Sequence, residues 1–347
     1  MLLPADDSQL ASTPNGFAQQ ESDWLHDLIL VRDLRTPHML AAFVREVRRG
    51  SYVNLARGVY VDAERWAKAD RHERYVARIV AISALASPEE LVFSHESAAA
   101  IWRLPKIGSW PETVHVTEAS SPGGRSTTSI MRHTVGLPDR CAVIAGIRVT
   151  TLARTVVDLA ARYDFGPAVA VADAALRRGS LADRRLPPGV VVREDLEAEL
   201  ARIPLRQGRR KATRVVEFAD GAADRPGESM SRASIHLSGL EMPLLQQPLS
   251  GASGKNYVVD FWWPRLRLIG EFDGKYKYTD EEFLQGRTAS QAVYDEKLRE
   301  DDLRAAGYGM SRWNWELAIS PQRLGTHLQR AGIARVRPSA PPLRSRR

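Results

Sequence analysis

Three carboxylates and two lysines crowd one short stretch, VVDFWWPRLRLIGEFDGKYKY, residues 258–278. Asp260 enters, the chain turns near Pro264, and Glu271, Asp273, Lys275 and Lys277 leave. With Arg265 and Leu266 as loop residues, Pro264 faces Arg267, Trp262 faces Ile269, Asp260 faces Glu271 and Val258 faces Asp273. Side chains alternate along a strand, so Asp260, Glu271 and Asp273 share a face, with Trp262 and Ile269 beside them. Lys275 and Lys277 continue that face if the strand persists past Gly274. Like charges directly opposed destabilise a hairpin. Two carboxylates about 4 Å apart repel by roughly 4 kcal/mol at an effective dielectric of 20. A divalent cation converts that repulsion into binding, and Mg²⁺ needs only one or two carboxylates plus waters and phosphate oxygens. A solvated hairpin edge and an inert acidic relic are the bland alternatives.

Two elements flank the hairpin. GESMSRASIHLSGL, 227–240, reads as a helix with Met230, Ala233 and Leu237 on one face and Glu228, Arg232 and Ile235 on the other. Glu228 either completes the acidic cluster or is a first-turn glutamate favoured by the helix dipole. YDEKLREDDLRAAGYGMSRWNWEL, 294–317, reads as a charged helix with Asp295–Arg299 and Glu300–Arg304 pairs, then a strand. On that strand Arg312 and Asn314 take one face, Trp313 and Trp315 the other.

Basic residues gather near the N-terminus. Thr36-Pro37 is a helix start, a capping hydroxyl followed by proline at the first helical position. Leu40, Phe43, Val44 and Val47 follow at helical spacing, with His38, Arg45 and Arg49 opposite, and Gly50 ends the helix. SYVNL and VYVDA then form a hairpin with Arg57 near its tip, and a helix over about 23–34 precedes, with Trp24, Leu28 and Val31 on one side. Helix, turn, basic helix and hairpin is the order of a winged helix. Arg45, Arg48, Arg49 and Arg57 are the candidate DNA contacts; a solvated basic face is the alternative.

The middle of the chain offers no evident reaction. VFSHESAAAIWRLP, 92–105, reads as a strand end, a Ser94 cap and a short helix. His95-Glu96 is no zinc-protease motif, because the second histidine is replaced by Ala99. His95 is expected to bond locally. VTTLARTVVDLAARY, 149–163, reads as a capped helix with Leu152, Val156 and Leu159 inward and an Arg154–Asp158 surface pair. VADAALRRG, 171–179, reads as another helix.

The totals set the frame. The chain has 347 residues, 44% hydrophobic, with formal charge +7, which points to a polyanion such as nucleic acid. One cysteine, Cys141, excludes an internal disulfide framework and a thiolate zinc cluster. No apolar run approaches membrane length and the N-terminus lacks a secretory pattern, so a cytoplasmic protein with no membrane partner is expected. Composition divides the chain into a disordered start, 1–21, blocks at 22–66, 67–218 and 225–330, and a basic flexible tail, 331–347. The connector at 219–229 is expected to be exposed.

Two resemblances follow. RRGSYVNLARGVYVD, SHESAAAIWRLP, VTTLARTVVDLA and ADAALRRG, in this order, resemble AbiEi-type antitoxins of type IV toxin–antitoxin systems. That resemblance implies a winged helix that represses its own operon and a domain that counters a nucleotidyltransferase toxin. Here the winged helix is shortened. The C-terminal block, through GES, VVDFWWP, GEFDGKYKY, EKLREDDLRAAGY and RWNW, is similar to domains related to very-short-patch repair endonucleases, with the PD-(D/E)xK fold. The similarity implies Mg²⁺ or Mn²⁺ on Asp260 and Glu271, with Glu228 in support, and DNA hydrolysis. The lysine expected two residues after Glu271 is Asp273, so Lys277, Lys275 or Lys297 would take its role. The expected class is α/β (α+β multidomain): a partial winged helix, a mixed α/β middle domain and a restriction-endonuclease-like αβ domain. A non-enzymatic antitoxin and autorepressor with a degenerate nuclease fold is the alternative.

Overall fold

The computed structural model describes residues 24–86, 91–117, 126–134, 136, 140–177, 190–205, 207–274 and 289–336. The chain is a mixed α+β structure in two compact units, Met1–Ala161 with Gly179–Ala212, and Arg162–Arg178 with Thr213–Arg347. The first two sequence blocks fall mostly in the first unit, whereas 162–178 and 213–218 of the expected 67–218 block belong with the second. Lys275, Lys277, the N-terminal 1–21 and most of the tail lie outside the described residues.

The first unit opens with α1 (24–27), β1 (Ile29–Leu30), a 3-10 turn at Val31–Asp33 and α2 (Pro37–Arg49). The helix predicted over 23–34 is thus shorter. Ile29 and Leu30 instead pair with Tyr60 and Val59, because strand pairing satisfies their backbone groups better than a lone helical extension does. Thr36 caps α2, its Oγ1 accepting from Met39 N at 3.2 Å, and Gly50 ends it at φ +83°. The hairpin follows as β2 (Tyr52–Ala56) and β3 (Val59–Asp62), giving sheet order β1-β3-β2. Of the predicted inward face of α2, only Phe43 is buried, between Tyr52 and Tyr60; Leu40 and Val44 are exposed.

After α3 (Ala63–Lys68) and α4 (Arg71–Ser83) comes a five-stranded sheet of order β6-β5-β4-β8-β7. Its strands are β4 (Val92–Phe93), β5 (Val114–Thr117), β6 (Ile130–His133), β7 (Cys141–Ile144) and β8 (Ile147–Thr150). Between β4 and β5 lies α5 (His95–Ile101). Ser94 precedes α5 without making a side-chain cap; its Oγ lies 3.0 Å from His95 Nδ1, the local bond expected of His95. Next is α6 (Leu152–Arg162), with Leu152, Val156 and Leu159 buried as predicted. The Arg154–Asp158 pair is not on the surface. Helices amphipathic over a wide arc bury polar positions at the edge of the stripe, and both side chains are buried here.

The second unit contains α7 (Phe165–Arg177) and α10 (Pro226–Leu237); α8 (Arg193–Arg202) and α9 (Arg209–Phe218) come between them in sequence. Its sheet has order β12-β11-β10-β9, from β9 (Leu244–Ser250), β10 (Asn256–Trp263), β11 (Leu268–Asp273) and β12 (Gly309–Asn314). β11 and β12 run parallel and the other pairs antiparallel. α11 (Ala289–Ala305) supplies the crossover that a parallel pair requires. α12 (Trp315–Ala318) and α13 (Pro321–Arg330) complete it. Trp315 therefore opens a helix rather than extending the strand, because Asn314 caps that helix through Leu317 N at 3.3 Å.

The larger core joins Ile235, Phe261, Trp263, Phe272, Trp313, Leu324 and Leu328. A second cluster, Val259, Ile269 and Leu303, takes Trp262 and Tyr308. α10 is buried nearly all round: Glu228, Arg232 and Ile235 are inside with Met230 and Ala233, whereas Leu237 is exposed. Its charged Arg232 is held by Asp173 of α7 at 2.6 Å, and its Ser231 accepts from Trp313 Nε1 at 2.8 Å. The first bond ties α10 to α7 and the second ties it to β12 of the sheet.

Candidate functional site

The hairpin has the register predicted from its alternation: Phe261 pairs with Gly270, Trp262 with Ile269 and Trp263 with Leu268. The turn is a 3-10 turn at Pro264–Leu266, closed by Arg267 in the left-handed region at φ +46°. The regular ladder stops at Phe261. Beyond it the Asp260 carboxylate itself accepts the Phe272 N–H, Oδ2 at 3.0 Å. The predicted direct opposition of Asp260 and Glu271 is therefore corrected: the carboxylate substitutes for a ladder carbonyl.

Glu271 is 3% exposed and receives Arg299 Nη2 on Oε1 at 2.7 Å. The same nitrogen donates to Val258 O at 3.0 Å, and Nη1 reaches Glu296 Oε1 at 3.1 Å. Asp273 is gripped by Arg312 through two parallel bonds, Nη2–Oδ1 at 2.6 Å and Nε–Oδ2 at 2.9 Å. Arg312 also binds Glu296 and Glu300, each at 3.0 Å. Two of the hairpin's three acids, Glu271 and Asp273, are thus neutralised by arginines remote in sequence rather than by a cation.

Arg299 does not pair with Asp295, which instead accepts from Gln291 at 2.9 Å. The Glu300–Arg304 pair forms as predicted, at 2.7 Å. A signal for the true arrangement was present. Glu296, Arg299, Glu300 and the buried Leu303 recur at helical spacing and so share the face that meets the sheet.

Glu228, near the start of α10, is buried beside Asp260. Its Oε2 accepts from Asp224 N at 2.8 Å and Gln246 Nε2 at 2.9 Å. Both bonds favour the ionised form, yet burial, and then the charge of Asp260, push its pKa up to about 8. Gln246 itself sits at φ +49°, a left-handed conformation uncommon for a non-glycine residue. The charge of Asp260 also reaches Arg299. Burial works against the guanidinium's charge there, and Glu271, Glu296 and Asp260 outweigh it, raising its pKa.

Asp260 thus stands between two groups: Glu228 with Gln246 on one side, and Glu271 with Arg299, which the sequence pattern had paired with Asp295, on the other. Asp273 is drawn off by Arg312. Lys297 is exposed on α11, with no hydrogen bond or ion pair to a described carboxylate. Among the described residues, no three or more His, Cys, Asp or Glu side chains are arranged to hold a metal ion. A cation here would take its remaining ligands from water and substrate oxygens.

In the first unit Arg45, Arg48 and Arg49 on α2 and Arg57 in the β2–β3 turn are all exposed. Arg49 is partly neutralised by Glu46 at 2.7 Å. No described helix is long and apolar enough to cross a membrane.

No family model matches the chain. It is 34% identical over 149 residues to the uncharacterized protein Rv2248 of Mycobacterium tuberculosis H37Rv, covering 41% of this chain and 51% of that protein. The same figures hold for the uncharacterized protein MT2308 of M. tuberculosis CDC 1551. The chain spans about half the length of the curated relatives it matches. A crystal structure of the RV2827C protein from M. tuberculosis superposes with a TM-score of 0.35 and 16% identity, covering 69% of this chain and 92% of that one. A likeness that distant carries no argument about function.

Proposed function

We propose that the second unit is a metal-dependent DNA endonuclease domain of the PD-(D/E)xK type, and that α2 and the β2–β3 hairpin deliver it to DNA. The observation that carries this reading is a buried carboxyl, Glu228 of α10, set against Asp260 of β10, whose charge also reaches the Arg299 that holds Glu271 of β11. Structural acids are normally kept apart or singly paired; here a buried carboxyl is set against a second one at a cost to its own ionisation.

The donor set suits a divalent cation, being all oxygen. Asp260 Oδ1 and Glu228 Oε1 have no hydrogen-bond partner among the described residues. Bound Mg²⁺ or Mn²⁺ would activate water and offset phosphate charge. Asp260 and Glu228 would hold that cation, with the Phe272 N–H and Gln246 fixing their orientations. Hydrolysis adds one water across a P–O ester bond: its oxygen goes to phosphorus and a proton goes to the leaving sugar oxygen.

Support for targeting is the order of helical turn, strand, turn, helix and hairpin in residues 24–62, as in a winged helix, with four exposed arginines on its helix and wing. A second reading is an AbiEi-like antitoxin and autorepressor whose nuclease fold is inert, with a nucleotidyltransferase-type toxin as partner. The neutralisation of Glu271 by Arg299 and of Asp273 by Arg312 favours it. Plasmid DNA incubated with Mg²⁺ or Mn²⁺ and either wild type or Asp260→Ala separates the two. Cation-dependent nicking lost in Asp260→Ala supports the endonuclease; no nicking by the wild type, with tight binding to its own upstream DNA, supports the repressor.

A further inference from the structure

The acidic site contains a cation that the endonuclease motif does not supply. We propose that Arg299 is the phosphate-contacting cation of this site, and that Glu271 is its positioning residue rather than a ligand for the metal. The assignment rests on the endonuclease reading and divides the acids into two functions: Glu228 and Asp260 for the metal, Glu271 for the arginine.

Hydrolysis at a phosphodiester needs fixed positive charge near the oxygens on which negative charge grows. The position where the motif would place a lysine holds Asp273, and that carboxylate is occupied by both arms of Arg312. Lys297 is exposed and unengaged with the acids. Among the described residues, Arg299 is the cation that both Glu271 and the charge of Asp260 act on. Its side chain is only 18% exposed. It is held from three directions, by Glu271 Oε1, Val258 O and Glu296 Oε1. Those anchors come from β11, β10 and its own helix, so the guanidinium is fixed before any substrate arrives. Its Nε–H has no acceptor among the described residues, which leaves a donor for an incoming oxygen. A planar guanidinium is well suited to phosphate, offering directed donors and a charge that is never lost near neutral pH.

The same bonds argue against Glu271 as a metal ligand. A cation on its Oε1 would have to displace Arg299 from a 2.7 Å bond in a nearly closed setting. No arginine or lysine makes a salt bridge to Asp260 or Glu228 among the described residues. Asp260 gives Oδ2 to a backbone N–H, and Glu228 gives Oε2 to a backbone N–H and an amide.

Two measurements on the full chain test the division: Mn²⁺ binding by titration calorimetry, and plasmid nicking with Mg²⁺. Glu228→Gln and Asp260→Asn are expected to abolish Mn²⁺ binding. Arg299→Lys is expected to bind Mn²⁺ as the wild type does while nicking falls by about 100-fold, the scale for removing one preorganised donor. Partial recovery of Arg299→Ala by sub-denaturing guanidinium is expected, which a purely structural arginine would not give. Glu271→Gln alone takes the shorter of two carboxylate partners from a largely buried guanidinium, leaving Glu296, and endangers folding. The double variant Glu271→Gln/Arg299→Gln replaces the ion pair by an amide pair and is expected to keep Mn²⁺ binding without nicking. The assignment is overturned if the double variant loses Mn²⁺ while Arg299→Lys keeps it, or if Arg299→Lys nicks at the wild-type rate. Either result leaves the endonuclease reading standing. A wild type that neither binds Mn²⁺ nor nicks DNA removes both.

Discussion

Arg154 Nε donates to Asp158 Oδ1 at 2.9 Å, one turn along α6, and the two side chains are only 3% and 0% exposed. Glu199 stands 4.0 Å from the same guanidinium, and Arg154 Nη2 also donates to Gly136 O at 3.3 Å. The spacing is that of a surface helix pair worth a few tenths of a kcal/mol, but burial changes its energetics. Removing Asp158 leaves the buried guanidinium answered only by the more distant Glu199 carboxylate. Asp158→Ala is therefore expected to destabilise the protein by about 3–5 kcal/mol, read from urea unfolding. A loss under about 1 kcal/mol would mean that water reaches the pair.

Stability should fall with rising pH because of Glu228. Its folded pKa, pushed to about 8, lies above the ordinary 4.5, so the native state holds this proton more tightly than the unfolded chain. The benefit is complete below about pH 4.5 and is lost as pH climbs through about 8, at no more than about 1.4 kcal/mol per pH unit. Glu228→Gln cannot ionise. Relative to wild type it should gain stability from about pH 5 to pH 8 in denaturant titrations, with the gain shrinking toward acid. Parallel curves for the two proteins would show that Glu228 titrates normally.

Gly227 packs against Phe272: a Cβ built there would lie 2.0 Å from the ring. Gly227→Ala should cost about 1–3 kcal/mol by overpacking, measured as a shift in unfolding midpoint. It should also weaken metal binding, since Glu228 is the next residue. A stability change without any effect on Mn²⁺ affinity would separate packing from the site.

Neutralising Arg45, Arg49 and Arg57 together should weaken binding to the protein's upstream DNA. The slope of log affinity against log salt should shrink by about 0.9 for each phosphate that is no longer neutralised. Arg49 already serves Glu46, so its share should be smallest. An unchanged slope in the triple alanine protein would remove this helix and hairpin from the DNA interface.

What the sequence determined by itself is local. Thr36-Pro37 and Gly50 bound a helix because a capping hydroxyl, a preset φ and a left-handed glycine act within a few residues. The pairing of Trp262 with Ile269 follows from alternation and one short turn. Strand parity likewise put Asp260, Glu271 and Asp273 on one face, and a helix start put Glu228 in a first turn. The tertiary structure decided which charges answer them. Arg299 meets Glu271 across 28 residues and Arg312 meets Asp273 across 39. Both partners had nearer, plausible neighbours in sequence. Ile29 and Leu30 gave up a helical pattern to pair with β3, and Asp158 left the surface for the interior. Local preferences are worth tenths of a kcal/mol to about one, whereas burial and the pairing of desolvated charge are worth several. Where the two compete, packing sets the partner, and a single sequence does not display it.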